Sequence, residues 1–309
     1  MKIVDTGSLT RAADILHIAQ PALSQQVAAL EAQFRQRLLV RSKSGVVPTD
    51  AGRALYRHAQ LILRQVEQAQ SDVSRSGDSL SGKVSIGLAP YSTGAVLALP
   101  LLQLVRKRHP DIVLHINENF GGVISELVMT GRMDLGLIYD PGPTRGVVFA
   151  PMFVEELFLV TSADTEVVGA TADTAPLKAI QSLGLMLPSR IHTIRKVVDT
   201  SFERLRVIPK IIAEIESVAT LGSALSAGVG ATILPWSSAN RIASGGGLVL
   251  RRVISPAIEV KISLCTPDHL PMSEAALAVR DLMFEVIETS SELAEIRGVK
   301  RIERRTASE

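Results

Sequence analysis

The chain has 309 residues, of which 46% are apolar and 21% are charged, and its formal net charge is +2. This length predicts two or three domains, and the ordinary composition argues against a disordered chain. No apolar run of about 18 residues occurs, and the first residues lack the long apolar segment of a secretory signal, so we expect a cytoplasmic protein. The only cysteine, Cys265, lies in an alternating segment, where we expect a core position in a strand.

Positive charge is concentrated near the N-terminus. Residues 1–80 contain ten basic and seven acidic residues, a net charge of +3, and between residues 35 and 64 the net charge is +6 because only Asp50 is acidic. The basic residues of this segment are Arg35, Arg37, Arg41, Lys43, Arg53, Arg57 and Arg64. Such a cluster indicates binding to a polyanion, although a solvated helix surface would have a similar composition.

Residues 8–34 read as two helices separated by a short break. Ser8 is a good N-cap for a first helix over residues 8–16, whose apolar residues fall on one face. After the break at residues 17–19, Pro21 stands where a first-turn proline is tolerated. The apolar stripe of the second helix is Leu23, Val27, Leu30 and Phe34. Two helices with a three-residue turn predict a helix-turn-helix.

The opposite face of the second helix carries small or amide-bearing side chains. These are Gln20, Pro21, Ser24, Gln25 and Ala28. Amides pair with adenine edges in the major groove and a serine hydroxyl suits several bases, so this face is typical of a recognition helix. A polar face that is merely solvated remains the alternative.

Residues 38–49 form two short extended segments around a Lys-Ser-Gly turn, which is the pattern of a wing. Arg41 and Lys43 would contact phosphates or the minor groove from this wing. We therefore assign residues 1–50 to a winged helix-turn-helix domain.

Thr49 caps a long helix that we predict to run to about Ser76. Its apolar residues are spaced by alternating steps of four and three: Leu55, Ala59, Ile62, Val66, Ala69 and Val73. This heptad pattern predicts that residues 51–76 pair with the same helix of a second copy, the alternative being packing on its own domain. A dimer of this kind favours a roughly palindromic DNA site.

Residues 76–82 have the composition of a hinge, and strands alternate with helices beyond it. This alternation predicts parallel sheets in an α/β domain over residues 83–295, with two lobes around a ligand cleft. Residues 296–309, rich in Arg and Lys, are most simply a solvated basic tail.

No set of residues supports catalysis, a metal or a cofactor. Residues 77–83 match most of a P-loop, but Val84 replaces the Mg-binding Ser/Thr, and the segment follows a helix and opens a strand. The six histidines lack metal-site spacing, and no nucleophile elbow occurs. We expect a protein that is not an enzyme.

Several segments match one family throughout the chain. They are residues 7–13, 20–27, 30–31, 38–41 and 49–52, followed downstream by residues 99–102, 131–135 and 227–235. In these segments the chain resembles the LysR-type transcriptional regulators. The resemblance implies an α+β protein overall: an N-terminal winged helix-turn-helix, a long linker helix, and a two-lobed α/β effector domain like periplasmic binding proteins.

The resemblance also implies roles for particular residues and partners. Gln20, Pro21, Ser24 and Gln25 would contact bases or adjoining backbone, with Arg41 and Lys43 in the wing, and Arg53 would reach phosphate from the linker helix. The implied effector residues are Ser92, Thr93, Asp140, Val218 and Thr220. Double-stranded DNA, RNA polymerase, further copies in dimers and tetramers, and a small-molecule effector would be the partners. The first helix, shorter than the family's, is expected to be truncated.

Residues 16–28 and 214–221 are most similar to family members that control nitrogen-assimilation genes, as activators or repressors. The alternatives are control of another metabolic pathway through a small effector, a solute-binding protein with a fused head, and an enzyme in the α/β part. Periplasmic location would favour the second of these, and turnover of a metabolite the third.

Overall fold

A computed structural model describes residues 1–42, 45–73, 80–290, 293 and 295–302. The chain divides into two compact units. The first unit comprises Met1–Ser76 with Thr130–Arg132, and the second comprises Gly77–Met129 with Met133–Glu309.

The first unit contains four helices and a two-stranded sheet among its described residues. The helices are α1 (Lys2–Thr6), α2 (Leu9–Leu16), α3 (Gln20–Phe34) and α4 (Asp50–Val73), and the antiparallel strands are β1 (Leu39–Ser42) and β2 (Gly45–Pro48). The hydroxyl oxygen of Ser8 accepts a 3.3 Å bond from the amide of Arg11, which caps α2. His17 ends α2 in the left-handed conformation, with φ 54°. The predicted helix, break, helix and two extended segments are confirmed.

The core of the first unit is small and lies between α1, α2, α3 and β2. Its buried apolar residues are Ile3, Leu9, Ala12, Ala13, Leu23 and Val46. The predicted apolar stripe of α3 is divided: Leu23 is buried and Val27 packs on the core, whereas Leu30 and Phe34 are exposed. Only the N-terminal half of α3 is therefore held by the core of its own unit.

Helix α4 begins where the sequence predicts. The hydroxyl oxygen of Thr49 accepts a 3.0 Å bond from the amide of Gly52 and donates a 2.7 Å bond to the carbonyl of Arg37. Gly52 must be glycine here, because a Cβ atom would lie 1.9 Å from the carbonyl oxygen of Leu38. Farther along α4, Ile62 and Val66 are 63% and 47% exposed, so these two residues of the predicted seam do not pack on their own domain.

The second unit contains the remaining elements. Its strands are β3 (Gly82–Leu88), β4 (Ile112–Glu118), β5 (Leu135–Tyr139), β6 (Val147–Ser162), β7 (Thr174–Pro176), β8 (Gly184–Leu187), β9 (Lys210–Glu214), β10 (Thr232–Pro235), β11 (Leu248–Ile254), β12 (Glu259–Pro267) and β13 (Val299–Arg301). Its helices are α5 (Thr93–Val96), α6 (Ala98–Arg108), α7 (Gly121–Met129), α8 (Leu177–Ile180), α9 (Thr193–Arg204), α10 (Val218–Ser226), α11 (Trp236–Ala243) and α12 (Glu274–Thr289).

Strand β6 joins the two halves of this unit. Its first ten residues pair with β12, and its last six pair with β10 and β11. The sheet order is β4-β3-β5-β12-β6-β11-β7, with β10 and β13 also paired to β6. Residues at the middle of β6, such as Glu155 and Glu156, therefore lie where one half of the unit passes into the other.

The prediction of parallel sheets is only partly correct. Strand β3 pairs in parallel with β4 and β5, but β6 is antiparallel to its partners β10, β11, β12 and β13. Alternation of helices and strands along the chain does not reveal a strand that returns across both halves, because strand direction depends on pairing between distant segments.

The C-terminal segment differs from the predicted solvated tail. Val299–Arg301 form β13 on β6, the amide of Glu156 donates a 2.8 Å bond to the carbonyl of Gly298, and Ile296 is buried. The side chain of Lys300 contacts Glu156 at 3.2 Å and Glu259 at 2.8 Å. Lys300 is therefore paired with acids on the sheet and is not simply solvated, while residues 303–309 lie outside the described part.

Candidate DNA-binding surface and interlobe cleft

The N-terminal turns of α3 present the side chains that the sequence assigns to base contact. Pro21 and Gln25 are exposed, and Gln20 and Ser24 are half-buried. The cap residue of α3 makes no side-chain bond to the helix. The first turns of α3 thus offer an amide, a hydroxyl and backbone N–H groups to a partner.

A hydrogen bond between two of the predicted DNA contacts joins the wing to the recognition helix. Arg41 in β1 donates a 2.8 Å hydrogen bond from Nη2 to the hydroxyl oxygen of Ser24 in α3. This bond leaves the Ser24 proton free to be donated and orients the exposed guanidinium beside the helix. Ser24 and Arg41 therefore form one continuous polar surface.

Glu31 fixes the start of the wing and was not recognised as functional in the sequence. Its Oε1 atom accepts bonds from the amides of Leu38 at 2.8 Å and Leu39 at 3.1 Å. Since Glu31 lies in α3 and Leu39 begins β1, one carboxylate sets the position of the wing relative to the helix. A single acid within a helix that is otherwise uncharged was the available signal.

Arg53 and Lys43 are the other two predicted phosphate contacts, and the structure describes only Arg53. Arg53 donates a 2.9 Å bond to the carbonyl of Pro48 and forms an ion pair with Asp50, and its side chain is 55% exposed. It is therefore held at the wing rather than freely extended. Lys43, at the wing turn, lies outside the described residues.

In the second unit, Tyr91 and Phe120 of the first half contact the second half across the cleft. Tyr91 donates a 3.3 Å bond to the carbonyl of Ile215, and the rings of Phe120 and His192 meet edge to face with centroids 4.4 Å apart. Within the second half, Nε2 of His192 lies 2.5 Å from Glu216. The cleft is therefore lined on both sides by aromatic and polar groups.

A carboxyl group is buried deeper between the halves. Oε1 of Glu155 accepts a 2.7 Å bond from the amide of Thr93, and Oε2 accepts a 3.2 Å bond from the hydroxyl of Tyr139. Burial raises the pKa of Glu155 to about 7, although the bonds from Thr93 and Tyr139 act in the opposite direction. Burial, followed by the charge of Glu155, raises the pKa of Tyr139 well above its usual value.

The predicted effector residues fall into separate places. The Thr93 hydroxyl donates a 3.0 Å bond to Ser237, and the Ser92 hydroxyl donates a 2.7 Å bond to the carbonyl of Ala89, so both are buried and already partnered. Thr220 is exposed near the start of α10, and Val218 packs against the apolar cluster of the second half.

Asp140 does not share the hydrogen-bond partners of Thr93. Its carboxylate accepts from the hydroxyl of Ser263 at 3.1 Å and lies 3.7 Å from Nζ of Lys261. It lines a separate cavity of about 610 Å³. The side chains that the sequence missed in the cleft are Glu155, Tyr139 and Ser237, and the only local signal was the adjacent acids Glu155 and Glu156 before an apolar run.

Among the described residues, no group of three or more His, Cys, Asp or Glu side chains is arranged to hold a metal ion. None of the helices in that part of the chain combines the length and apolar character needed to cross a bilayer.

A winged helix-turn-helix on a long helix, together with an α/β unit of two halves around a polar cleft, defines a DNA-binding transcription regulator. Residues 1–53 match the protein family described as "Bacterial regulatory helix-turn-helix protein, lysR family". Residues 77–288 match the family described as "LysR substrate binding domain". The chain belongs to the LysR family of transcription regulators.

Two curated relatives are similar over nearly the whole chain. The nitrogen assimilation regulatory protein nac of Escherichia coli K12 is 44% identical over 289 residues, which cover 94% of this chain and 93% of the relative. The protein of the same name from Klebsiella aerogenes is 40% identical over 291 residues, which cover 94% of both chains.

Solved structures of full-length regulators share the fold. Full-length OxyR C199D from Pseudomonas aeruginosa matches with a TM-score of 0.69 at 23% identity, covering 92% of this chain and 94% of that one. CbnR complexed with its target DNA matches with a TM-score of 0.65 at 19% identity, covering 92% of this chain and 96% of that one.

Proposed function

We propose that this protein binds operator DNA through α3 and the wing and thereby controls genes for the use of nitrogen sources. The exposed N-terminal face of α3, with Arg41 bonded to Ser24 beside it, carries the DNA-binding part of the proposal. The nitrogen role is supported by the 44% identity to a nitrogen assimilation regulatory protein over 94% of this chain.

Each predicted DNA contact has a distinct task in this proposal. Gln20, Pro21, Ser24 and Gln25 face base edges or the adjoining backbone in the major groove, where amide and hydroxyl groups read sequence. Arg41, Lys43 and Arg53 contact phosphates, which fixes orientation and strengthens binding to any sequence. Residues 1–50 form the DNA-binding domain, with α1 as its short first helix.

Helix α4 is proposed as the dimerisation element. Ile62, Leu63 and Val66 are exposed large apolar side chains on a helix whose sequence has a heptad pattern. Two copies joined along α4 would bring two α3 helices to one DNA site. Tetramers, contact with RNA polymerase and action in the cytoplasm complete the proposal, which assigns no catalytic group to the chain.

The linker helix is tested by Ile62→Glu in the full chain, because a charge in the seam would be buried without a partner. We expect sedimentation at micromolar protein to show the wild type as a dimer or larger and the variant with a lower mass and weaker operator binding. Val168→Glu makes the same change at an exposed site of the second unit and should leave both unchanged. A wild-type monomer would contradict the proposed dimer.

Effector binding is proposed for residues 83–295, at the cleft beside Ser92 and Thr93. Val218 and Thr220 would contribute from the start of α10. Asp140 would act only through its separate cavity, since its described partners are Lys261, Ser263 and the amide of Gly142.

Genome-wide capture of bound DNA from nitrogen-limited and nitrogen-replete cells tests the function. We expect sharp peaks with a two-fold motif near genes for nitrogen sources. Sharp peaks near other genes would retain the regulator and replace its pathway, and the absence of peaks in both conditions would contradict DNA binding in the cell.

A further inference from the structure

The carboxyl group of Glu155 is buried without a positive partner among the described residues. Its residue is 1% exposed, and no ion pair of the described part includes it. Its hydrogen-bond donors are neutral: the amide of Thr93 at 2.7 Å and the hydroxyl of Tyr139 at 3.2 Å. Glu155 is thus held by hydrogen bonds alone.

The neighbouring acid provides a contrast on the same strand. Successive side chains of β6 point to opposite faces, and Glu156 lies near two cationic atoms on its side: Nζ of Lys300 at 3.2 Å and Nη1 of Arg252 at 3.4 Å. Lys300 also contacts Glu259. Glu156 is itself buried but is paired with cationic side chains that reach solvent. Glu155, by contrast, accepts hydrogen bonds only from neutral donors among the described residues, as a bound carboxylate ligand could.

A carboxylate enclosed by protein loses its water, which is unfavourable unless preorganised donors replace it. The donors here are themselves fixed. Thr93 is fully buried and its hydroxyl donates to Ser237 of the second half, while the Tyr139 hydroxyl shares its single proton between Glu155 and the carbonyl of Tyr91 at 3.1 Å. If Glu155 were absent, the same two groups could donate hydrogen bonds to a carboxylate from solution.

We propose that Glu155 fills a carboxylate-binding site between the two halves with its own side chain, so that the wild-type site excludes carboxylates from solution. An incoming carboxylate would find the Thr93 and Tyr139 donors already occupied by Glu155. The proposal rests on the assignment of Ser92 and Thr93 to the ligand cleft and is independent of DNA binding.

The decisive variant is Glu155→Ala in the full chain. This change removes a CH₂–COO⁻ group, which acetate replaces almost atom for atom. Thermal unfolding is followed by the fluorescence of Trp236, the only tryptophan, which lies in the second unit. Sodium acetate is compared with sodium chloride at matched ionic strength and with acetamide, the neutral analogue.

We expect Glu155→Ala to unfold at a lower temperature than the wild type and acetate to raise that temperature along a saturable curve, because acetate binds only the folded state. Acetamide and chloride should not do so. The wild type should show no acetate-specific rise, and its Thr93 amide resonance should not move with acetate. If Glu155→Ala does not fold alone, the proposal requires that acetate, and not acetamide, recovers the fold.

Glu156→Ala is the matched control, because it removes the adjacent carboxyl group from the other face. We expect a weaker acetate-specific rise in this variant than in Glu155→Ala, because the cations left without Glu156, on Lys300 and Arg252, are largely exposed to solvent. The proposal is overturned if acetate stabilises Glu155→Ala no more than acetamide or Glu156→Ala, or if acetate shifts the wild-type Thr93 amide. Operator binding of the wild type is measured separately, so a failure of the proposed regulatory function is distinguished from a failure of the carboxylate site.

Discussion

The DNA-binding surface and the interlobe cleft use polar residues in opposite ways. On α3, Pro21 and Gln25 are exposed, and the first turns leave backbone groups available to a partner. In the cleft, Thr93 and Glu155 are buried and bonded within the protein. A surface that reads an external partner keeps its donors available, whereas a buried polar site must satisfy its donors internally. The predictions below test this contrast.

The largest effect is expected at Glu155. Its pKa is about 7 in the folded chain and 4.5 as a free group, so the folded state retains a proton that the unfolded state has lost between these values. The contribution of Glu155 to stability is therefore fully present below pH 4.5, and on the order of 3 kcal/mol of it is lost as the pH rises through about 7. Glu155→Gln should lack this fall.

The measurement is chemical unfolding between pH 4.5 and pH 8, followed by Trp236 fluorescence. Gln25→Ala, which lies in the other unit, should retain the wild-type pH profile. If Glu155→Gln lost stability with rising pH as steeply as the wild type, the buried proton would belong to another group.

A smaller effect is expected at Glu31, which joins the two parts of the DNA-binding surface. Glu31→Ala leaves the amides of Leu38 and Leu39 without their acceptor, at a cost of about 2 kcal/mol. We expect faster hydrogen exchange at these two amides and weaker operator binding. Glu31→Gln retains an acceptor oxygen and should remain close to the wild type, and equal exchange in all three proteins would contradict the positioning role.

Substitution of Gln25 should change DNA recognition while leaving the stability of the protein almost unchanged. Gln25→Ala should lower the ratio of operator to random-DNA binding by about 1 to 3 kcal/mol if Gln25 makes a bidentate base contact. Unfolding should change by less than about 0.5 kcal/mol, because the side chain is exposed. Competition titration with both DNAs measures the ratio. Gln33→Ala, at the other end of α3, serves as the control, and an equal loss in both variants would contradict the assignment.

The smallest effect is expected at Lys43. Lys43→Ala should weaken binding to operator and random DNA equally and reduce the slope of log affinity against log salt by about one unit, since one phosphate contact is lost. Titrations at several salt concentrations measure this slope. If Lys43→Ala changed the operator preference as Gln25→Ala does, the roles assigned to helix and wing would be wrong.

Local patterns predicted much of the first unit. The cap at Ser8, the proline at the start of α3, and the Thr49 cap of α4 are each set by neighbouring residues, and each is present in the structure. The spacing on α4 likewise predicted apolar side chains that the unit leaves exposed. These features depend on interactions within a few residues or one helical face.

The second unit was harder to predict because its arrangement depends on distant segments. The alternation of helices and strands was correct, but the direction of β6 and the pairing of β13 require contacts between the middle and the end of the chain. Ser92 and Thr93 were predicted as effector residues by family resemblance. Their partners were not, because Ser237 lies 144 residues beyond Thr93.

By itself, the sequence determined the helix-turn-helix, the wing strands, the apolar face of α4 and the family, since each follows from short-range spacing. Only the tertiary structure decided that Arg41 bonds to Ser24, that Val299–Arg301 form a strand, and that Glu155 lies buried against Thr93 and Tyr139. The reason is physical: the charge of an acid is encoded by its residue type, but its hydration and its donors are set by segments far away in the chain.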